Sequence, residues 1–156
     1  ARETAPIAAR REALLPLFRA AAARHGLPVS WLLAFGRKES RFQNLRSAPG
    51  QRDDELGGAW GPLQVTSETA RVLGLLPRAT HAERGRTILS DPALGIELGA
   101  RYLARLVGEL GPKLELVAAA YNAGPGRVRS GHVPQRTRTE YVPVVVAFAH
   151  EYQALT

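Results

Sequence analysis

The chain has 156 residues, a formal net charge of +7, 45% apolar and 22% charged residues, and neither cysteine nor methionine. That length suits one domain around one core that folds without staples, and the lack of cysteine excludes disulfides and thiolate metal sites without fixing a redox compartment. No run approaches a membrane span, and Ala1-Arg2-Glu3-Thr4-Ala5-Pro6 has no apolar signal core; a chain without even an initiator methionine is expected to be processed or excised from a longer one.

Helix is the dominant pattern. Ile7 to His25 reads as a first helix, with Pro6 at its start and Gly26 at its stop. Leu14, Leu17, Phe18 and Ala21 form its apolar stripe, and Pro16 inside the pattern is expected to kink or split it. Ser30 is a candidate N-cap for a second helix from Trp31 to about Glu39. In that helix Leu32, Phe35, Gly36 and Glu39 share one face, so a carboxylate ends an apolar stripe. Burying an ionised carboxylate is costly. Desolvation favours the neutral acid and raises its pKa, which is what a general acid working near neutral pH requires. A structural carboxylate paired with Lys38 or Arg41 fits the same spacing equally well.

Phe42 to Trp60 reads as a long irregular stretch rich in Gly, Asp, Arg and Pro. Gly57 to Val65 then reads as a tight extended segment, part of a small β-ribbon, whose glycines imply positive φ or close backbone approach. Thr66 caps a short helix to about Leu73, and Leu75 to Ser90 reads as a second loop. Asp91-Pro92 opens a helix that runs to about Leu110, with Gly95 and Gly99 on one face, where small residues allow another helix to approach. Lys113 to Ala123 is apolar on nearly every side, the pattern of a central buried helix. Gly124-Pro125-Gly126 breaks it, a short turn reaches Ser130, and a last helix runs from about Arg138 to Gln153, buried through Val142, Val145, Val146 and Phe148.

Common chemistries are absent from the pattern. His25, His81, His132 and His150 are scattered with no acid at ligand spacing, so no metal and no cofactor are expected. Gly124-Pro125-Gly126-Arg127 follows a helix and lacks the Lys-Ser/Thr of a phosphate loop, and Ser40 has no local histidine to act as base. A basic domain is drawn to polyanions such as nucleic acid, anionic membranes or acidic wall polymers. The arginines are spread along the chain and read as solvated helix faces, so no specific nucleic acid is expected. Tyr121 and Asn122, at the end of the central helix, are polar tips that must either satisfy nearby backbone or face a cleft.

Four pieces in order carry a resemblance: Glu39-Ser40, Gly61-Pro62-Leu63-Gln64-Val65, Ala120-Tyr121-Asn122-Ala123-Gly124 and Tyr141-Val142. Together, from about Ala9 to Phe148, they resemble the soluble-lytic-transglycosylase family and its goose-type lysozyme relatives. Gly99-Ala100-Arg101-Tyr102-Leu103 is similar to the helix that precedes the Ala-Tyr-Asn-Ala-Gly motif in that family. The resemblance implies a mainly α, lysozyme-like single domain over 1–156, with a small β-ribbon or loop region flanking a glycan cleft. It implies Glu39 as the catalytic acid and base, Ser40 supporting the helix end, Leu63 and Gln64 on one wall, and Tyr121 and Asn122 on the other, with Tyr141 among the substrate-binding residues. Its implied partner is the peptidoglycan glycan strand, acted on by a monomer in the cell envelope or periplasm, outside the cell, or on a phage particle. The chain departs from the family in three places. Pro62-Leu63 replaces the usual Leu-Met, the loop between Glu39 and Gln64 is longer, and Thr137 or Arg136 stands where the family often has a glutamate, with Glu140 nearby.

The reaction so implied is cleavage between N-acetylmuramic acid and N-acetylglucosamine with a 1,6-anhydro product and Glu39 as the only acid-base group. A goose-type muramidase would hydrolyse the same bond with help from Asp53, Asp54 or Glu55. A non-catalytic basic glycan- or nucleic-acid-binding module would have no use for an acid on an apolar stripe.

Overall fold

Proline at the start and glycine past the end set the first helix. In the computed structural model, which describes residues 2–47 and 58–156, α1 spans Ala5–His25 and stops at Gly26 in the left-handed conformation (φ 64°). Phe18, Ala21 and Ala22 are buried, with Leu14 and Leu17 packed half-buried against the core. Of the expected kink or split, the split does not occur: the helix runs on through Pro16. The proline lies on the exposed face, as does Glu12, the residue whose carbonyl it deprives of a partner.

The second helix, α2, is Val29–Ser40. It starts two residues earlier than the sequence suggests, with Pro28 as N-cap, and Ser30 is buried in the first turn instead of capping it. Leu32, Leu33, Ala34, Phe35 and Gly36 are all buried. A Cβ at Gly36 would stand 2.9 Å from the Phe18 ring, so α1 crosses close to α2 at this point. The helix ends with two consecutive left-handed non-glycine residues, Arg41 (φ 55°) and Phe42 (φ 62°). Each such residue stores strain of order 1–3 kcal/mol. The reversal is held by Arg41 N donating to the Arg37 carbonyl and Phe42 N to the Gly36 carbonyl, and by the Phe42 ring packed edge-on against Phe18 and Tyr152.

The expected ribbon is a three-stranded antiparallel sheet of two-residue strands: β1 Arg46–Ser47, β2 Ala59–Trp60 and β3 Val65–Thr66, in that order. Trp60 faces Arg46 on one side and Val65 on the other. Thr66 caps α3, Ser67–Val72, accepting from Thr69 N.

The stretch expected as a loop from Leu75 to Ser90 contains a helix, α4, His81–Leu89. It opens with a reciprocal capping box in which Thr80 accepts from Glu83 N and Glu83 accepts from Thr80 N. Arg84 is 1% exposed. Its guanidinium donates to the carbonyls of Leu75, Leu76 and Ala79 and to the Ser67 hydroxyl, which fixes the irregular backbone between α3 and α4.

Asp91 caps α5, Pro92–Leu110, which ends at Gly111. Then follow α6, Leu114–Ala123, α7, Pro125–Ser130, a π-helical turn at Thr137–Tyr141, and α8, Val142–Gln153. α6 buries Val117 to Ala120 against its neighbours, but Leu116 is exposed, so the helix is central without being covered on every side. The last helix is also reshaped. Its expected first turn is π-helical, and α8 buries Val145, Ala149 and Tyr152, leaving Val142, Val146 and Phe148 half-buried. α8 runs along α2, and α6 sits among α5, α8 and the π-turn.

Gly99 admits a close neighbour, the Gly61–Gln64 turn, whereas Gly95 meets both that turn and Ile88 of helix α4. A Cβ at Gly99 would lie 2.3 Å from Leu63 Cδ1, and one at Gly95 would lie 3.4 Å from Pro62 Cδ. We expect Gly99→Ala to lower stability by about 1–3 kcal/mol, the usual range for overpacking a core. An unchanged urea midpoint would show that Leu63 moves aside without cost.

Candidate active site

Glu39 sits in the last turn of α2, partly buried beyond the apolar stripe of that helix. Burial raises its pKa above the ordinary carboxylate range, opposed by a hydrogen bond from Tyr141 and by the positive charge of Lys38. The Tyr141 hydroxyl donates to Glu39 Oε2 across 102 positions of sequence. Tyr141 belongs to the π-helical turn, a rare geometry that is frequent at functional sites. Burial, reinforced by the Glu39 charge, pushes the Tyr141 phenol well above its ordinary pKa, so its proton stays on the oxygen. The Lys38 ammonium stands 5.5 Å over the Tyr141 ring.

Tyr121, near the end of α6, donates its hydroxyl to the Leu63 carbonyl at 2.5 Å. Its ring packs 4.9 Å from that of Phe35 and 5.6 Å from that of Tyr102. Burial and then the Glu39 charge raise its phenol well above the usual range. Leu63 is fully buried, with its carbonyl taken by Tyr121 and its side chain packed on Gly99, so it stands behind the cleft wall and not on it. Gln64, left-handed at φ 52°, donates its amide to the Leu45 and Gly61 carbonyls, each at 3.0 Å, and thereby braces the ribbon. Ser40 is buried too. Its hydroxyl lies 2.7 Å from the Pro62 carbonyl and accepts from Gln43 N. Hydrogen bonds thus link the end of α2 to the Gly61–Gln64 turn and that turn to α6, so the acid stands on a braced frame.

Asn122 is exposed, and its Oδ1 accepts from the Thr137 hydroxyl at 2.7 Å. That bond leaves the amide nitrogen to point away from Thr137. Asn122, Lys38, Tyr141, Arg136, Glu140 and Val144 line a cavity of about 270 Å³ beside the Glu39–Tyr141 pair. Thr137 is 3% exposed and faces inward, whereas Arg136 is exposed and pairs with Glu140 at 3.2 Å. Sequence reasoning named Thr137 only as the occupant of a glutamate position. Its role as a partner of Asn122 comes from the π-turn, which no local pattern announces. Asp53, Asp54 and Glu55 lie outside the described residues. Among the described residues no group of three or more His, Asp or Glu side chains is placed to hold a metal.

What this arrangement can do is raise the pKa of a carboxyl by burial, orient it through one phenol, and present a polar amide and a cation beside it. The profile of the family described as "Transglycosylase SLT domain" matches residues 16–141. The soluble lytic murein transglycosylase of Escherichia coli (strain K12) is 30% identical over 115 residues, covering 73% of this chain and 16% of that protein. The membrane-bound lytic murein transglycosylase C of Serratia proteamaculans (strain 568) is 31% identical over 149 residues, covering 91% of this chain and 40% of that protein. The chain therefore spans only a minor part of the length of these relatives. Among solved structures, an inactive mutant of the lytic transglycosylase Slt from Pseudomonas aeruginosa superposes with a TM-score of 0.69 at 29% identity, covering 90% of this chain and 24% of that one. The 70 kDa soluble lytic transglycosylase of Escherichia coli gives 0.71 at 26% identity, with 90% and 24% covered. With a matching profile over most of its length and the lysozyme-like fold of those structures, the chain belongs to the transglycosylase SLT family.

Proposed function

We propose that this chain is the catalytic domain of a peptidoglycan lytic transglycosylase, acting as a monomer over residues 1–156 on glycan strands in the cell envelope. The observation that carries the reading is the partly buried Glu39 carboxyl, held above its ordinary pKa and oriented by Tyr141. Two relatives named as murein transglycosylases, one soluble and one membrane-bound, support the substrate and the envelope setting. No helix among the described residues is long and apolar enough to cross a membrane.

In this reading protonated Glu39 gives its proton to the glycosidic oxygen as the bond from the muramoyl C1 to that oxygen breaks, through a transition state of oxocarbenium character. The resulting carboxylate takes the proton of the muramoyl C6 hydroxyl, and that oxygen closes on C1. Protons balance over the cycle, and no water is consumed. Asn122 holds the strand, and the buried Gly61–Gln64 turn, with Leu63 at its centre, backs the wall of the cleft. Ser40, Gln64 and Tyr121 hold the frame on which Glu39 stands.

Mass spectrometry of digested sacculi tests this. Products are expected about 18 Da lighter than hydrolysed ones, the mass of the water that an inverting or retaining hydrolase adds. Changing Asp53, Asp54 and Glu55 together to their amides should leave the rate within a few-fold. Muramic acid reducing ends as the main product, with activity collapsing in that triple variant, would make the chain a hydrolase.

A further inference from the structure

A second cavity, of about 460 Å³, opens where the first turns of α1, the end of α2 and the flank of α8 meet. Five cationic side chains line it: Arg2, Arg10, Arg37, Lys38 and Arg41. Arg37, 4% exposed, forms a fixed floor, donating to Glu151 at 3.0 Å and stacking 4.0 Å over the Phe148 ring. The other four have no carboxylate within 4.0 Å among the described residues. The nearby Glu3 is taken by Arg11 and Tyr152. Arg10 Nε donates to the Arg41 carbonyl at 2.9 Å, so the rim is built by the fold and is more than a chance gathering of mobile chains.

Like charges held around one concavity repel each other, and the low-dielectric wall focuses their field on an anion in its mouth. Arginine forks suit oxyanions in particular. The position of the cavity narrows the choice of oxyanion. Lys38 and Val144 line both this cavity and the one beside Tyr141 and Asn122, so the two adjoin. An anion bound here is therefore one carried close to the bond over Glu39. On a murein strand the carboxylates of the peptide stem meet that condition, because the stem hangs from the muramoyl residue itself. Phosphates of secondary wall polymers are attached at sparse, distant points.

We propose that this cationic groove recognises the peptide-stem carboxylates of the strand whose glycan occupies the cleft. The inference rests on the proposed function for its substrate, so its test avoids turnover. Binding is measured in the Glu39→Gln background on two probes, glycan strands with their stems and the same strands stripped by an amidase. Adding Arg2→Gln and Arg41→Gln is expected to weaken binding of stem-bearing strands by about three- to tenfold, the scale of two exposed ion pairs, and to leave stripped strands unaffected. A control of equal charge, Arg19→Gln with Arg86→Gln on exposed sites outside the groove, should change neither. Because Arg41 also closes α2, Arg2→Glu alone serves as a second variant that leaves the helix end intact, with the same expectation. Equal losses on both probes, equal losses in the control, or no loss on stem-bearing strands would each overturn the groove assignment. Failure of the anhydro-product test would overturn the reaction and leave this binding result standing.

Discussion

Glu39→Gln is expected to lower turnover on sacculi a hundredfold or more while the chain keeps its fold and its binding to the strand. The amide keeps the shape and can still accept from Tyr141, but it can neither deliver nor take back a proton, and acid-base catalysis by a positioned carboxyl contributes at least that much. Stability gives an independent check. Burial raises the Glu39 pKa in the folded state, so between the ordinary carboxylate pKa and the raised one the folded chain holds a proton that the unfolded chain has lost. Stability attributable to Glu39 therefore falls as pH rises through that window and stays low above it. Glutamine removes this cost, so the melting temperature at neutral pH should be unchanged or higher. Loss of turnover with an undiminished melting temperature is the signature of a functional carboxyl. A melting temperature that drops together with the rate would make Glu39 structural, and more than about a tenth of the activity surviving would remove it from the chemistry.

The parts of the fold that were legible in the sequence are those with local punctuation. Pro6 and Gly26 bound α1, Asp91-Pro92 and Gly111 bound α5, and Gly124 ends α6. The acid at the end of an apolar stripe was legible for the same reason, since i, i+3 and i+4 spacing is a property of one helix. α4 was not. Its buried face is made of Arg84, Gly85 and Ile88, so it shows almost no apolar periodicity. Arg84 is buried because loop carbonyls satisfy it. Gly85 is buried because the Trp60 ring lies on the helix there, and a Cβ would come within 2.1 Å of that ring. The Thr80-x-x-Glu83 capping box was the one signal available.

Within the candidate site, a similar limit separates the residue types from their roles. Tyr121 is a polar tip at a helix end, and the sequence leaves open whether it serves backbone or cleft. The structure gives its proton to the Leu63 carbonyl, and Ser40 and Gln64 likewise bond to backbone. Those pairings depend on the Gly61–Gln64 turn meeting α5 and α6, and the turn can approach this closely because Gly99 lacks a side chain. The glycine spacing on α5 announces a close approach without saying what approaches.

Tyr141→Phe is expected to cost turnover about tenfold to a hundredfold, because it removes one hydroxyl and with it the bond that orients the acid, and small losses of alignment are expensive at a reacting centre. The pH dependence separates this from mere loosening of the fold. The Tyr141 hydrogen bond favours the ionised form of Glu39 and works against the effect of burial, so without it the Glu39 pKa rises further. Cleavage starts from the protonated acid, and kcat/KM falls as pH passes the Glu39 pKa. That alkaline limb should accordingly move to higher pH in the variant, even as the maximum rate drops. The ring remains in place, buried beneath Lys38, so the fold is expected to tolerate the change. Lys38, the other group holding the pKa down, acts through charge alone. Lys38→Gln should therefore move the limb in the same direction, and added salt should mimic that shift far more than it mimics the loss of Tyr141. A lower rate in Tyr141→Phe with the alkaline limb unmoved would mean that the phenol does not act through Glu39, and the acid would then have to be sought elsewhere in the cleft.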